Sequence, residues 1–69
     1  MTQKTASFLA CIETNPGINT MTLHGSVGKL YAHGHHRYSY ETIKRMLRNG
    51  LVKRGPSVNG RGVGLYPAK

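Results

Sequence analysis

The sequence is poor in acidic residues, in cysteine and in long apolar runs, and each shortage excludes a class of protein. Glu13 and Glu41 are its two acids, and they lie too far apart in sequence to predict a catalytic carboxylate pair. Its single cysteine, Cys11, allows neither an intramolecular disulfide nor a cysteine-based zinc site. No apolar run approaches the ~20 residues of a membrane-spanning helix.

The length sets the organisation that we expect. A chain of 69 residues predicts one domain over residues 1–69, with a compact core and little room for an enclosed substrate pocket. We therefore expect no enzyme activity and no cofactor. No charged leader precedes an apolar stretch, and a lone thiol among apolar neighbours is typical of a reduced core residue. These features predict a soluble, cytoplasmic protein without a membrane partner.

The positive charge is large and unevenly distributed along the chain. Residues 1–36 carry two basic residues and one acid, whereas residues 37–69 carry eight basic residues and one acid. The two parts therefore have net charges of +1 and +7, which add to the +8 of the whole chain. Such a field on one half of a small domain favours a polyanionic partner, and the alternative is a cationic surface without a partner.

Apolar spacing predicts two helices in the first half of the chain. The first covers residues 3–14 and ends at Asn15-Pro16-Gly17, because proline cannot continue a helical hydrogen-bond ladder. Ile18-Asn19-Thr20 is predicted as a brief extended segment. A second helix is predicted over residues 21–32 with Thr20 as its N-cap. Its apolar face would comprise Leu23, Val27, Leu30 and Tyr31.

The clearest helical pattern lies in the second half. Residues 33 to 38 are predicted as a loop, after which Ser39 has the character of an N-cap and a helix runs to Asn49. Gly50 suits the left-handed residue that follows a helix. Two strands, over residues 51–55 and 63–66, are predicted next. Asn59-Gly60 between them indicates a tight turn, and Pro56 indicates either an irregular ladder or an edge strand.

The segments SYETIKRMLRNGLVKR (39–54) and GRGVGLYPA (60–68), in this order of elements, resemble the winged helix-turn-helix family. The resemblance spans nearly the whole chain, and its specific part is residues 39–54. It implies a small α+β fold with three helices and a C-terminal β-hairpin, the wing. It also implies a recognition helix at about residues 39–49 in the DNA major groove, and a wing at about 55–63 on the minor groove or the backbone.

Residue chemistry assigns roles within such an interface. Lys44 and Arg45 can donate to guanine, and Glu41 can accept from a cytosine amino group. The other predicted contacts are to phosphate, except that an arginine at the tip of the wing can enter the minor groove. The alternative for that tip is an ordinary exposed hairpin loop. The full set of predicted DNA-binding residues is Arg37, Ser39, Tyr40, Glu41, Lys44, Arg45, Arg48, Lys53, Arg54 and Arg61.

Three of the four histidines, His33, His35 and His36, crowd into the segment before the basic helix, and His24 precedes them. A zinc site usually needs four ligands in tetrahedral geometry, and adjacent loop histidines seldom converge on one ion. We therefore expect no metal. Contact with phosphate and a plain exposed loop remain the two alternatives for these histidines.

Together these features predict a sequence-specific double-stranded DNA-binding protein, a small transcriptional regulator of phage or plasmid type. A homodimer on DNA would have to form through the first helix or the wing. The alternative from another class is a protein-interaction module that inhibits or recruits a host enzyme. An RNA-binding role is disfavoured, because the aromatic residues from Tyr38 to Tyr40 are too sparse for a stacking platform.

Overall fold

The computed structural model describes residues 2–31 and 36–68, with side chains of the second range from residue 39. Within these ranges the chain forms three α-helices, a short 3-10 helix and a three-stranded antiparallel sheet. The predicted α+β class with a C-terminal hairpin is therefore confirmed. The elements in chain order are α1 (Gln3–Thr14), β1 (Ile18–Asn19), α2 (Thr20–Ser26), the 3-10 helix (Gly28–Leu30), α3 (His36–Arg48), β2 (Val52–Pro56) and β3 (Val63–Pro67).

Helix α1 has the bounds that the sequence predicts. The Thr2 side chain accepts a hydrogen bond from the Thr5 backbone N–H at 3.1 Å and so caps the first turn. Phe8 and Ile12, one turn apart, are fully buried. Asn15 ends the helix with its backbone N–H bonded to an α1 carbonyl, and the brief strand β1 follows as expected.

The second helix is shorter than predicted. Helix α2 ends at Ser26 and its N-cap is Asn19 rather than Thr20. At Val27 the backbone leaves the helical region, with φ −124° and ψ −45°, and the 3-10 helix follows. A 3-10 turn advances each residue by about 120° instead of 100°, which changes the phase of the apolar face. Leu30, predicted to be buried, is consequently 77% exposed.

A close contact at Gly28 follows this break. Gly28 is buried, and a Cβ added there would overlap Ser39 Oγ on α3 and lie 3.1 Å from the Phe8 ring on α1. The 3-10 helix can therefore approach both neighbouring helices only because this position has no side chain. Gly25, by contrast, has nothing within 4 Å of its added Cβ.

Helix α3 begins earlier than predicted. It starts at His36, so the last three residues of the predicted loop are helical, while residues 33–35 lie outside the described residues. Ser39 is therefore inside the helix, where its hydroxyl is fully buried 2.6 Å from His24 Nδ1. The predicted helix end is confirmed to within one residue: α3 ends at Arg48, Gly50 has φ +72°, and the Leu51 N–H donates to the Met46 carbonyl at 2.9 Å.

The sheet has the strand order β1-β3-β2, with both pairs antiparallel. Strand β2 is an edge strand, which explains how it accommodates Pro56. Each hairpin strand lies within one residue of its predicted bounds. The connection is longer than the predicted tight turn at Asn59-Gly60, because residues 57–62 all lie between the paired strands. We call these six positions the hairpin loop.

The core draws apolar side chains from every α-helix and every strand. Cys11 is half-buried and packs against this core, as its apolar neighbours predicted. Among residues 2–31 and 36–68, no helix has both the length and the apolar character needed to cross a membrane. The buried apolar residues are Phe8, Ile12, Ile18, Leu23, Ile43, Met46, Val52 and Leu65.

Candidate nucleic-acid interface

Helix α3 divides into a buried face and a charged outward face. Ser39, Ile43 and Met46 point into the fold, together with the nearly buried Thr42. The remaining arc is exposed, as predicted for a helix with a hydrophobic face and a polar one. The exposed residues on this arc are Tyr40, Glu41, Lys44, Arg45 and Arg48.

The charged arc of α3 continues into the hairpin through a chain of shallow grooves. Glu41, Lys44, Arg45 and Arg48 line the first groove, which runs along α3. Lys44 also lines a second groove, where α3 meets Arg54.

The second and third grooves are joined by two residues that they share. Thr20, at the start of α2, and Val63, at the start of β3, line both. Met21 of α2 and Arg61 of the hairpin loop also line the third groove. A continuous surface therefore connects α3 to the hairpin loop. We call its cations the basic face: Lys44, Arg45, Arg48, Arg54 and Arg61.

Lys44 lines two of the three grooves of the basic face. Its Nζ lies 5.1 Å from the centroid of the Tyr40 ring, one helical turn earlier, which is within the range of a cation–π interaction. Tyr40 is about half exposed. The ring therefore supports the lysine side chain while leaving its ammonium group accessible from solvent.

Arg54 and Lys53 are neighbours in sequence but point to opposite faces of the sheet. Arg54 stands opposite Leu65 in the register, and Leu65 is buried in the core on the helical side. Lys53 stands opposite Tyr66, on the other face. Successive side chains of a strand alternate between faces, so only Arg54 joins the basic face.

The outer face of the hairpin is covered by an aromatic ring. A Cβ added to Gly55 would lie 2.6 Å from a carbon of the Tyr66 ring, so the ring lies directly over this glycine. The Tyr66 hydroxyl donates to the Pro56 carbonyl oxygen. The Val58 N–H donates to the Gly17 carbonyl at 3.1 Å, which ties the hairpin loop to the turn before β1. This face is thus occupied by internal packing.

The start of α1 lies beside one flank of α3. Desolvation by burial lowers the pKa of Lys4, and the positive charge of Arg45 lowers it further, while the Glu41 carboxylate opposes the shift. Lys4 Nζ also lies 5.7 Å from the Phe8 ring centroid. Arg45 is therefore on the α1 side of the outward arc, whereas Tyr40 and Lys44 are on the hairpin side.

The structure changes the predicted set of DNA-binding residues in two ways. Ser39 was predicted to donate to the DNA backbone, and this is wrong for the structure described, because its hydroxyl is fully buried against His24. Lys53 is exposed but lies apart from the basic face. The side chain of Arg37 lies outside the described residues, so its predicted contact stays a prediction.

Sequence reasoning missed the residues that join α3 to the hairpin loop. Thr20, Met21 and Val63 line the connecting grooves, and the side chains of Met21 and Val63 are exposed. Spacing along the chain gave no signal for them, because α2 and β3 are distant in sequence and are brought close by tertiary structure, including the pairing of β1 with β3.

The histidine cluster is only partly within the described residues. His33 and His35 lie outside them, as does the side chain of His36. In the described part of the chain, no group of three or more His, Cys, Asp or Glu side chains could hold a metal ion. The expected absence of a metal at the cluster stays a prediction.

Comparisons of this chain with protein-family models, with curated protein sequences and with solved structures give no match. The inference of function therefore rests on the geometry and charge of the basic face.

Proposed function

We propose that this protein is a winged helix-turn-helix protein that binds double-stranded DNA in a sequence-specific manner. The observation that carries the proposal is the continuity of the basic face from α3 through Arg54 to Arg61. The order of elements and the sheet order β1-β3-β2 support the winged-helix assignment. In this assignment α3 is the recognition helix and the hairpin loop is the tip of the wing.

The dimensions of α3 suit the major groove. Its 13 residues span about 20 Å, and the major groove of B-DNA is about 12 Å wide and admits one α-helix. The exposed arc offers both donors and an acceptor to base edges. Lys44 and Arg45 are assigned to guanine O6 and N7, and Glu41 to a cytosine amino group. Arg48, near the helix end, is assigned to phosphate.

The hairpin supplies the contacts that position α3. Arg54 lines the groove beside α3 and so faces the same DNA surface, where it is assigned to a phosphate. Arg61 extends the surface beyond α3 and is assigned to the adjoining backbone or minor groove, where negative potential attracts arginine. With these contacts we further propose that the protein acts as a small transcriptional regulator of phage or plasmid type.

The experiment that tests this proposal is selection of bound duplexes from a random pool, followed by a salt titration on the selected site. A defined sequence motif is expected. If Arg48, Arg54 and Arg61 contact phosphates, log K should fall against log salt with a slope of about −2.7.

The same experiment separates the proposal from its rivals. Duplex binding without enrichment of any motif would contradict sequence-specific recognition, but it would still support binding of the basic face to the DNA backbone. Absence of duplex binding at low salt would contradict the proposal altogether and favour a protein partner. Preference for duplex RNA over DNA of the same sequence would contradict the assignment of α3 to the major groove. The major groove of A-form RNA is too deep and narrow for side chains to read.

A further inference from the structure

The hairpin loop contains an internal network centred on one asparagine. Asn59 Oδ1 lies within hydrogen-bond distance of the Arg61 backbone N–H, at 3.0 Å, and of the Ser57 hydroxyl. The Ser57 oxygen in turn accepts from the backbone N–H groups of Asn59, at 3.3 Å, and Arg61, at 3.2 Å. The backbone of Arg61 is therefore held by two side chains of its own loop.

A second asparagine connects this network to α2. Asn19 Oδ1 accepts from the Thr22 backbone N–H at 2.7 Å, which caps α2. The Nδ2 group of the same side chain donates to Asn59 Oδ1 at 3.2 Å and to the Arg61 carbonyl oxygen at 3.4 Å. A side-chain amide has one acceptor oxygen and two N–H donors, so this arrangement uses all of its groups at once.

This connection matters because the residues on either side of Arg61 are glycines. Gly60 and Gly62 flank Arg61 with φ values of +73° and +66°, in the region that glycine enters at low cost. Neither has an atom within 4 Å of an added Cβ, so no side chain packs on them. Glycines in open space give a loop many unbound conformations, and ordering them on binding costs affinity.

We propose that Asn19 is a positioning residue that holds Arg61 in its DNA-binding position before DNA arrives. The inference rests on the proposed DNA-binding function and deepens it. Asn19 links the N-terminus of α2 to the loop that carries Arg61, so the hairpin loop and the helical part of the interface are presented to DNA as one unit. Asn19 acts through Arg61 and is not itself assigned a DNA contact.

The test uses Asn19→Ser in the full chain. Serine is also a favoured N-cap, so the bond to the Thr22 N–H can be kept, but serine lacks the amide group that reaches Asn59 and Arg61. In the free protein, hydrogen exchange at the Arg61 backbone N–H should become several-fold faster. Affinity for the selected duplex should fall about two- to tenfold, and the salt slope should decrease by up to about one.

A double-mutant cycle with Arg61→Ala shows whether Asn19 acts through that arginine. In the Arg61→Ala background, Asn19→Ser should have little further effect on duplex affinity. Asn15→Ser is the matched control, because the Asn15 side chain bonds to the Cys11 carbonyl at the end of α1 and not to the loop. It should leave both the Arg61 exchange rate and the duplex affinity unchanged.

The outcomes separate this inference from the proposed function. If Asn19→Ser leaves the Arg61 exchange rate unchanged, or weakens binding equally with and without Arg61, the positioning role is contradicted while DNA binding stands. If the unsubstituted protein does not bind duplex DNA at low salt, the proposed function is contradicted, and the DNA role of Asn19 is contradicted with it.

Discussion

The two faces of the β2–β3 hairpin differ in their surroundings. The face toward α3 carries Arg54 and borders the grooves that lead to Arg61. The outer face carries Lys53 and is covered by Tyr66, which packs over Gly55. Two adjacent cations are thereby assigned to different environments, one within a continuous basic surface and one beside an aromatic ring that stabilises the hairpin.

The sequence position of a charged residue does not reveal on which face of the sheet its side chain lies. Lys53 and Arg54 contribute equally to the net charge of the second half of the chain. Only the register, which places Arg54 opposite the buried Leu65, assigns one of them to the α3 side. Substitutions on the outer face are therefore expected to change stability rather than DNA contact, whereas loss of Arg54 from the α3 face is expected to change DNA affinity.

The largest expected effect is on the outer face. A Cβ at Gly64 would lie 2.6 Å from the Pro56 carbonyl oxygen and within 3 Å of two further backbone atoms, none of which can rotate away. Gly64→Ala should therefore destabilise the fold by about 3 kcal/mol, the upper part of the range for over-packing. For a domain of this size the melting temperature should fall by about 12–24 °C.

The matched control for this change is Gly25→Ala. Gly25 lies in α2, and an added Cβ there meets no atom within 4 Å. Alanine is the better helix former, so stability should rise by up to about 1 kcal/mol. Thermal melts of both variants measure the contrast. A Gly64→Ala variant that melts within about 2 °C of the unsubstituted protein would show that the outer face is loosely packed.

The next largest effect is expected at Lys44, which lines two grooves of the basic face. Lys44→Ala should weaken binding to the selected duplex by about 1–3 kcal/mol and blur the sequence preference at one or two positions. Lys44 is exposed, so the melting temperature should not change appreciably. Lys29→Ala is the control, because Lys29 is an exposed cation on the 3-10 helix, outside the grooves of the basic face.

Binding assays on the selected and a scrambled duplex measure the effect of Lys44→Ala. An equal loss of affinity for both duplexes contradicts base contact by this residue and indicates that α3 crosses the backbone. An equal loss in Lys29→Ala and Lys44→Ala would show that net charge, rather than the basic face, governs binding.

Local patterns in the sequence predicted much of the fold. The bounds of α1, the left-handed Gly50 and the two hairpin strands follow from apolar spacing and from the residue types at the ends of elements. These features depend on interactions between residues that are only a few positions apart, so the sequence pattern alone indicates them.

The errors arose where distant residues decide the local structure. The contact of Gly28 with Ser39 and Phe8 accompanies the shortened α2 and the burial of a serine that resembles an N-cap. In the candidate site, too, the features that depend on distant residues could not be predicted from local patterns. The cations of α3 were predicted from helical spacing, but the separation of Lys53 from Arg54 required the strand register, and Thr20 entered the site through strand pairing.

The most direct test of the central claim compares the salt dependence of duplex binding by Arg54→Ala and Lys53→Ala. Both variants lose one positive charge from the same strand, and both side chains are exposed. Arg54→Ala should weaken binding and reduce the magnitude of the slope of log K against log salt by about one, because one phosphate contact is lost. Lys53→Ala should leave the slope within error of the unsubstituted protein. Equal reductions in the two variants, or a larger one for Lys53→Ala, would contradict the assignment of the DNA interface to the α3 face of the hairpin.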